Sequence, residues 1–235
     1  MRCSFTTENS MSTIVNSGWR IGLIITISMA LAVTGAFLLR KPVLHIDVPG
    51  ARILSPPVRV PPFSLLDQKG QLFSNERLAG NWTLATVGFT YCPDICPTTL
   101  SEMSAVFKKM ETVSGAFKMP RFVFFSVDPF RDTPEVLEKY LAYFRRDFIG
   151  VTGAPEAIQS FANELGLHYV YSDPEDGQLV DGVLQKPAIE DYAVIHATSV
   201  VFITPTGEMV ATMAPPFKTD EVVSVFEKLR THYGN

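Results

Sequence analysis

Residues 82–103, WTLATVGFTYCPDICPTTLSEM, join a continuous apolar and β-branched run to a segment with helical spacing. The unbroken run over 82–90 predicts a strand buried on both faces of a sheet. A helix is predicted to begin near Thr98 or Thr99. Its apolar stripe at helical spacing comprises Leu100, Met103, Val106, Phe107 and Met110. Cys92 and Cys96 therefore lie where a central strand passes into a helix, which is a common position for a functional site in α/β folds.

The same alternation of strands and helices continues towards the C-terminus. RFVFFSV (121–127) predicts a second buried strand, and Thr133 followed by Pro134 predicts a helix start. Residues 192–213 predict two strands joined by a Thr-Pro-Thr-Gly turn, and residues 219–232 predict a closing amphipathic helix. This order indicates an α/β fold in which helices cover both faces of a mixed sheet.

The N-terminal region predicts a membrane anchor. Residues 21–39, IGLIITISMALAVTGAFLL, carry no charge. As a helix rising about 1.5 Å per residue, they would span roughly 28 Å, close to the thickness of a bilayer's hydrocarbon core. Arg20 lies before this segment, and Arg40 and Lys41 follow it. A cleaved signal peptide is the alternative, although its apolar core usually has only about 7–15 residues.

The anchor divides the chain into four predicted parts. These are a short N-terminal tail (1–20), a transmembrane helix (21–39), a Pro-rich linker (40–61) and one folded domain (62–235). The positive charges around the anchor do not decide its orientation, because long domains cross membranes largely regardless of charge.

Charge and cysteine content restrict the possible function classes. The chain has 20 Lys and Arg residues and 24 Asp and Glu residues, a formal net charge of −4, without a basic cluster. Nucleic acid is therefore not an expected partner. Cys92 and Cys96 are the only cysteines beyond the predicted anchor, so the domain is not a disulfide-dense scaffold.

The spacing of the cysteine pair suits two kinds of chemistry. Four positions apart at a helix start, the two Cα atoms are expected about 6 Å apart, within the range that a disulfide bridges. Helix N-termini lower the pKa of nearby thiols, which favours redox attack and metal ligation. Cu(I) prefers soft sulfur ligands and accepts three donors, whereas structural zinc usually takes four. Two inert buried cysteines are the remaining alternative.

Four histidines are candidates for a further ligand. His45 lies in the predicted linker and His232 near the C-terminus. His168 lies in an apolar run and is expected to be a core residue, while His196 lies at the entrance to a late strand. Sequence spacing alone does not show that His196 meets Cys92.

Three segments, in this order, resemble the Sco (SenC) family: VGFTYCPDICPTTLSEM, FFSVDPFRDTPEVLEKYL and DYAVIHATSVVFITPTGEMV. The family consists of membrane-anchored, thioredoxin-like proteins associated with copper delivery to cytochrome c oxidase. The resemblance runs from about Pro62 to Leu229 and implies a thioredoxin-like fold. It also implies that Cys92, Cys96 and His196 bind copper, as Cu(I) or Cu(II).

The sequence departs from the family next to the histidine. The family usually has an acidic residue before it and a serine after it, whereas this chain has Ile195 and Ala197. In an extended segment Ile195 faces away from His196, so ligation by His196 is compatible with the change. Asp128, Arg131 and Asp132 match a family loop and are expected to end a strand and cap a helix rather than to bind metal.

The leading functional hypothesis is a copper metallochaperone that assists assembly of the copper site of cytochrome c oxidase. The implied partners are the copper-bearing oxidase subunit, a copper donor or thiol reductant protein, and the membrane. The alternative is a membrane-anchored thiol–disulfide oxidoreductase that uses Cys92 and Cys96, so enzymatic activity stays open. We expect a bacterial inner-membrane protein whose domain faces the periplasm, in preference to the mitochondrial inner membrane.

Overall fold

The structure is a computed structural model that describes residues 12–38, 46–113, 118–180, 183–187 and 191–234. The chain forms two compact units, residues 1–43 and 44–235. The first unit contains helix α1 (Ser12–Leu38). Within the described ranges, no helix combines the length and the apolar character needed to cross a membrane. The anchor predicted at residues 21–39 is therefore not confirmed.

The second unit alternates strands and helices as predicted. Its strands are β1 (Ala51–Arg59), β2 (Ser64–Asp67), β3 (Leu72–Ser74), β4 (Thr83–Gly88), β5 (Arg121–Ser126), β6 (Ile149–Thr152), β7 (Tyr169–Ser172), β8 (Ala193–His196), β9 (Val200–Ile203) and β10 (Glu208–Met213). Its helices are α2 (Asn75–Leu78), α3 (Ile95–Val113), α4 (Pro134–Phe144), α5 (Pro155–Glu164) and α6 (Thr219–Tyr233).

Eight strands form one mixed sheet in the order β1-β10-β9-β4-β5-β6-β2-β3. Strand β5 runs parallel to β4 and β6, and the remaining neighbours are antiparallel. All six residues of β4 are buried, as are five of the six in β5. The two buried strands and the mixed α/β sheet predicted from the sequence are confirmed. The cysteine segment follows β4 in the middle of this sheet.

Strand β1 corrects the predicted linker. The sequence predicts a Pro-rich linker over residues 40–61, but residues 51–59 of it pair antiparallel with β10, as in Ala51 with Met213 and Arg59 with Glu208. The register shifts between Ile53 and Val58, and the two prolines fall in that interval. Proline is tolerated there because β1 is an edge strand with a free side.

Strands β7 and β8 form a separate two-stranded antiparallel sheet. The single strand predicted over residues 192–203 is therefore divided into β8 and β9. The division arises because β8 pairs with β7, whereas β9 lies in the main sheet between β10 and β4. Residues 197–199 connect the two sheets, directly after His196.

Candidate metal centre

The cysteine segment forms a loop and the first turn of α3. Helix α3 begins at Ile95, earlier than the predicted start at Thr98 or Thr99, and the Thr98 amide donates to the Asp94 carbonyl oxygen at 3.2 Å. Pro97 is compatible with this early start because N–H groups in a first helical turn have no acceptor within the helix. Cys92 consequently lies in the loop before the helix, and Cys96 lies in its first turn.

The fold brings three candidate ligands together. One donor atom each from Cys92, Cys96 and His196 lies within 4.8 Å of the other two. The Cys96 Sγ is 3.5 Å from the His196 Nε2, although the two residues are 100 positions apart in the chain. Both cysteines are buried free thiols. In the described part of the chain, no other group of three His, Cys, Asp or Glu residues could hold a metal ion.

The other histidines are not at this centre. His168 is exposed, and its Nδ1 lies 3.2 Å from the Asn163 Oδ1. The prediction that it is a core residue was wrong, because the alternation of this short strand puts Tyr169 inside instead. His232 packs its ring against Tyr233 in α6, and His45 lies outside the described residues.

The orientation of the His196 ring leaves Nε2 available for a metal. Its Nδ1 lies 2.6 Å from the carbonyl oxygen of Ala197. A carbonyl only accepts, so in the neutral imidazole the proton is on Nδ1 and the lone pair is on Nε2. The edge of the ring also meets Phe89, with centroids 5.8 Å apart. Because the acceptor is a backbone atom, this orientation does not depend on the side chain at position 197.

Ile195 lies on the other side of β8. It is 56% exposed and pairs across the small sheet with Val170. His196 is partly buried beside the cysteines. The expectation that Ile195 and His196 face opposite sides is confirmed, since neighbouring residues of a strand alternate.

Hydrogen bonding within the cysteine pair separates the two pKa values. The Cys96 thiol donates a hydrogen bond to the Cys92 sulfur and, with the backbone amides of Asp94 and Cys96, lowers the pKa of Cys92 to about 3. The Cys96 amide lies 3.4 Å from the Cys92 Sγ. The same bond, together with burial, raises the pKa of Cys96. In the metal-free pair the thiolate is therefore favoured on Cys92 and the thiol on Cys96.

Gly88 and Asp132 also shape the centre, although the sequence alone predicted no role for them there. A Cβ added to Gly88 would lie 2.8 Å from the Cys96 Sγ, so glycine allows the sulfur to approach the strand. The signal for this was a glycine within a buried strand, which often marks a close approach. The fully buried Asp132 accepts hydrogen bonds from Thr90 and Ser126 at 2.6 Å and so fastens the cysteine loop to β5. Burial raises the pKa of Asp132 to about 6.

The donor set suits copper. Two sulfurs and one imidazole nitrogen match the preference of Cu(I) for soft donors and low coordination number. A structural zinc site usually has four protein ligands, and no fourth residue joins this group in the part of the chain that the structure describes.

A family model described as SCO1/SenC matches residues 54–231. The chain belongs to the SCO1/SenC family. A Stutzerimonas stutzeri protein, described as a candidate copper-binding protein, is 36% identical over 72% of this chain and 76% of its own length. Protein SCO1 homolog 1, mitochondrial, of Arabidopsis thaliana is 41% identical over 51% of this chain. The match spans only 36% of that plant protein.

Solved structures confirm the thioredoxin-like fold implied by the resemblance. Arabidopsis thaliana ScoI with copper bound is 31% identical, with a TM-score of 0.64, over 74% of this chain and 99% of that one. The protein BsSco, described with a disulfide switch as a member of the Sco family of cytochrome c oxidase assembly proteins, is 26% identical. Its TM-score is 0.57, over 77% of this chain and 96% of that one.

Proposed function

We propose that this protein is a copper metallochaperone that holds copper through Cys92, Cys96 and His196 and assists assembly of the copper site of cytochrome c oxidase. The observation that carries the proposal is the grouping of these three donor atoms within 4.8 Å. The copper bound to Arabidopsis ScoI and the assembly role stated for the Sco family of BsSco support it.

Cys92, Cys96 and His196 differ in whether they must lose a proton before they can bind copper. The lowered pKa of Cys92 favours its thiolate, and the His196 Nε2 presents its lone pair. Cys96 holds a proton that it must release before its sulfur can act as a thiolate ligand. Copper binding consequently requires the reduced pair, and a Cys92–Cys96 disulfide is the form that does not bind.

The proposal is tested by anaerobic Cu(I) titration of the reduced full-length chain. We expect one copper per chain and a loss of affinity of at least about tenfold in His196→Ala. His168→Ala is the matched control, because His168 is an exposed histidine outside the centre. Equal affinities for the unchanged chain and His196→Ala would contradict the ligand assignment.

A thiol–disulfide oxidoreductase is the second candidate. The observation that favours it is the lowered pKa of Cys92 beside a protonated Cys96, because the thiolate is the form that attacks a disulfide. Insulin reduction that survives His196→Ala, in a protein that binds copper weakly, would support this function. If the wild-type chain, with its cysteines reduced, does not reduce insulin, this function is excluded.

We also propose that the uncharged segment 21–39, most of which lies in α1, anchors the protein in a bacterial inner membrane with the domain in the periplasm. Residues 21–34 of α1 are exposed along their length, and they include Ile21, Leu23, Ile24 and Ile25. Exposed apolar side chains in such numbers favour an apolar surrounding. The proposed partners are the copper-bearing oxidase subunit and a copper donor or thiol reductant protein. Protease protection of the domain in spheroplasts would contradict the periplasmic location.

A further inference from the structure

Arg131 connects three chain segments around the metal centre. Its Nε forms an ion pair with the Asp128 carboxylate, and its Nη1 donates to the Tyr192 carbonyl oxygen at 3.0 Å. The guanidinium carbon lies 3.7 Å from the ring centroid of Tyr192 and 4.9 Å from that of Tyr91. It also lies 5.7 Å from the ring centroid of Phe89. We call Arg131, Asp128 and Tyr192 the arginine clasp.

The clasp is buried, which makes its geometry well defined. Asp128 is fully buried, the Arg131 side chain is only 14% exposed, and the Tyr192 hydroxyl donates to the Asp128 carboxylate. Charge-assisted hydrogen bonds in such surroundings are stronger and more directional than neutral ones. Removing Arg131 alone would leave an uncompensated buried carboxylate, so a variant that also neutralises Asp128 is needed to separate position from folding.

The clasp lies at the junction between the histidine strand and the cysteine loop. Tyr192 directly precedes β8, which is four residues long and ends at His196. Among the described strands, β8 pairs only with β7, so no hydrogen bonds of the main sheet fix it against the cysteines. Phe89 lies three residues before Cys92, and its ring contacts both Arg131 and His196.

We propose that Arg131 is a positioning residue that holds His196 in place for metal binding. By tying the start of β8 to Phe89 and Tyr91, it keeps the His196 Nε2 near the two sulfurs before the metal arrives. A ligand held in its bound position loses less conformational entropy on binding, which raises affinity. The inference rests on the proposed function, because it takes His196 as a ligand.

The first test needs no metal. In NMR spectra of the reduced full-length chain, contacts between the His196 ring and the Phe89 ring should give nuclear Overhauser effects. We expect these effects to be lost in the double variant Arg131→Met with Asp128→Asn. In Arg131→Lys the charge is kept, but the planar group that reaches both Asp128 and Tyr192 is lost, so the effects should weaken there as well.

Arg145→Met is the matched control. Arg145 is a partly buried arginine at the end of α4 that pairs with Glu111 and Asp147 and lies 5.6 Å from the ring centroid of Phe107. Its loss removes a comparable arrangement from another part of the domain. We expect it to lower the thermal midpoint without changing the His196 contacts. We call Arg131→Met with Asp128→Asn the clasp variant. If this variant folds and its His196 contacts are unchanged, the proposal is overturned.

The second test is a double-mutant cycle on Cu(I) affinity. The clasp variant should weaken copper binding about tenfold in the otherwise unchanged chain. In a His196→Ala background it should change affinity less than about twofold, because its effect passes through His196. Equal weakening in both backgrounds would show a merely structural role and overturn the inference. If His196→Ala itself leaves affinity unchanged, the proposed ligand set fails, and the metal-free NMR test still decides whether Arg131 positions the ring.

Discussion

Gly88→Ala should disturb the metal centre while leaving the fold intact. The added Cβ would lie 2.8 Å from the Cys96 Sγ and 2.6 Å from the Phe124 Cε2, whereas ordinary contacts begin near 3.4 Å. The sulfur must therefore move by about 0.6 Å and the ring by about 0.8 Å. Metal–ligand distances tolerate only about 0.2 Å, so a sulfur displaced this far no longer matches the other two donors.

The stability cost of Gly88→Ala is expected to be moderate. Overpacking a buried site typically costs about 1–3 kcal/mol in the free energy of unfolding. For a chain of this size, each kcal/mol lowers the thermal midpoint by about 2–4 °C. A competition assay with a Cu(I) chelator should show affinity reduced at least about tenfold in a protein that remains folded at room temperature.

Gly150→Ala separates overpacking from the effect on the centre. A Cβ there would lie 2.8 Å from the Leu141 Cδ1 and 3.0 Å from the Leu137 Cβ, a similar clash against α4 rather than against Cys96. We expect a similar loss of stability with unchanged copper affinity. The reasoning would be refuted if Gly88→Ala bound copper as tightly as the wild-type chain. It would also be refuted if Gly88→Ala and Gly150→Ala weakened copper binding equally.

Four further predictions concern the sulfur pair and Ile195. Iodoacetamide should alkylate Cys92 nearly as fast at pH 5 as at pH 7, because its pKa is lowered to about 3. Unfolding returns the pKa of Cys92 to near 9.0, so the stabilisation that this thiolate contributes is complete above about pH 9 and is lost as the pH falls towards 3. The free energy of unfolding of the reduced chain, measured against pH with and without Cys92→Ser, tests this window. Loading Cu(I) at pH 7 should release about one proton per chain, from Cys96, and calorimetry in buffers of different ionisation enthalpy should find none in Cys96→Ser. Ile195→Asp should leave copper affinity unchanged and lower the free energy of unfolding by about 0.2–1 kcal/mol in urea titration, because it removes only the exposed pair with Val170.

Short sequence patterns correctly predicted the strands and helices that depend mainly on neighbouring residues. The buried strands at β4 and β5 follow from unbroken apolar runs, and α4 has its predicted cap, where the Thr133 side chain accepts a hydrogen bond from the Val136 amide. Strand β1 was missed because two prolines gave it the composition of a linker, while its pairing with β10 joins residues far apart in sequence. The division between β8 and β9 was missed for a related reason: each pairs with a different sheet.

The candidate site was predictable to different extents for its three proposed ligands. The spacing of Cys92 and Cys96 indicated paired thiols without any knowledge of the fold. Their meeting with His196 depends on how two sheets are connected, so the sequence indicated it only through the family resemblance. Arg131 was expected only to lie in a loop between a strand and a helix, because the contacts that give it a larger role join residues 89, 91 and 192 in space.

The two kinds of proposed ligand are attached to the fold in different ways, and this bears on how a bound copper ion would leave. The cysteines follow the central strand of the eight-stranded sheet, and Cys96 lies within α3, whose apolar face is buried. His196 ends a four-residue strand that pairs, among the described strands, only with β7. Elements with few hydrogen bonds to the rest of a fold open at a lower free-energy cost. An acceptor that exchanges ligands one at a time would therefore displace His196 first, while both sulfurs still hold the ion. With the proposed ligand set, the centre would hold copper through the sulfurs and release it in steps that begin with the histidine. The arginine clasp would then influence how easily the histidine detaches.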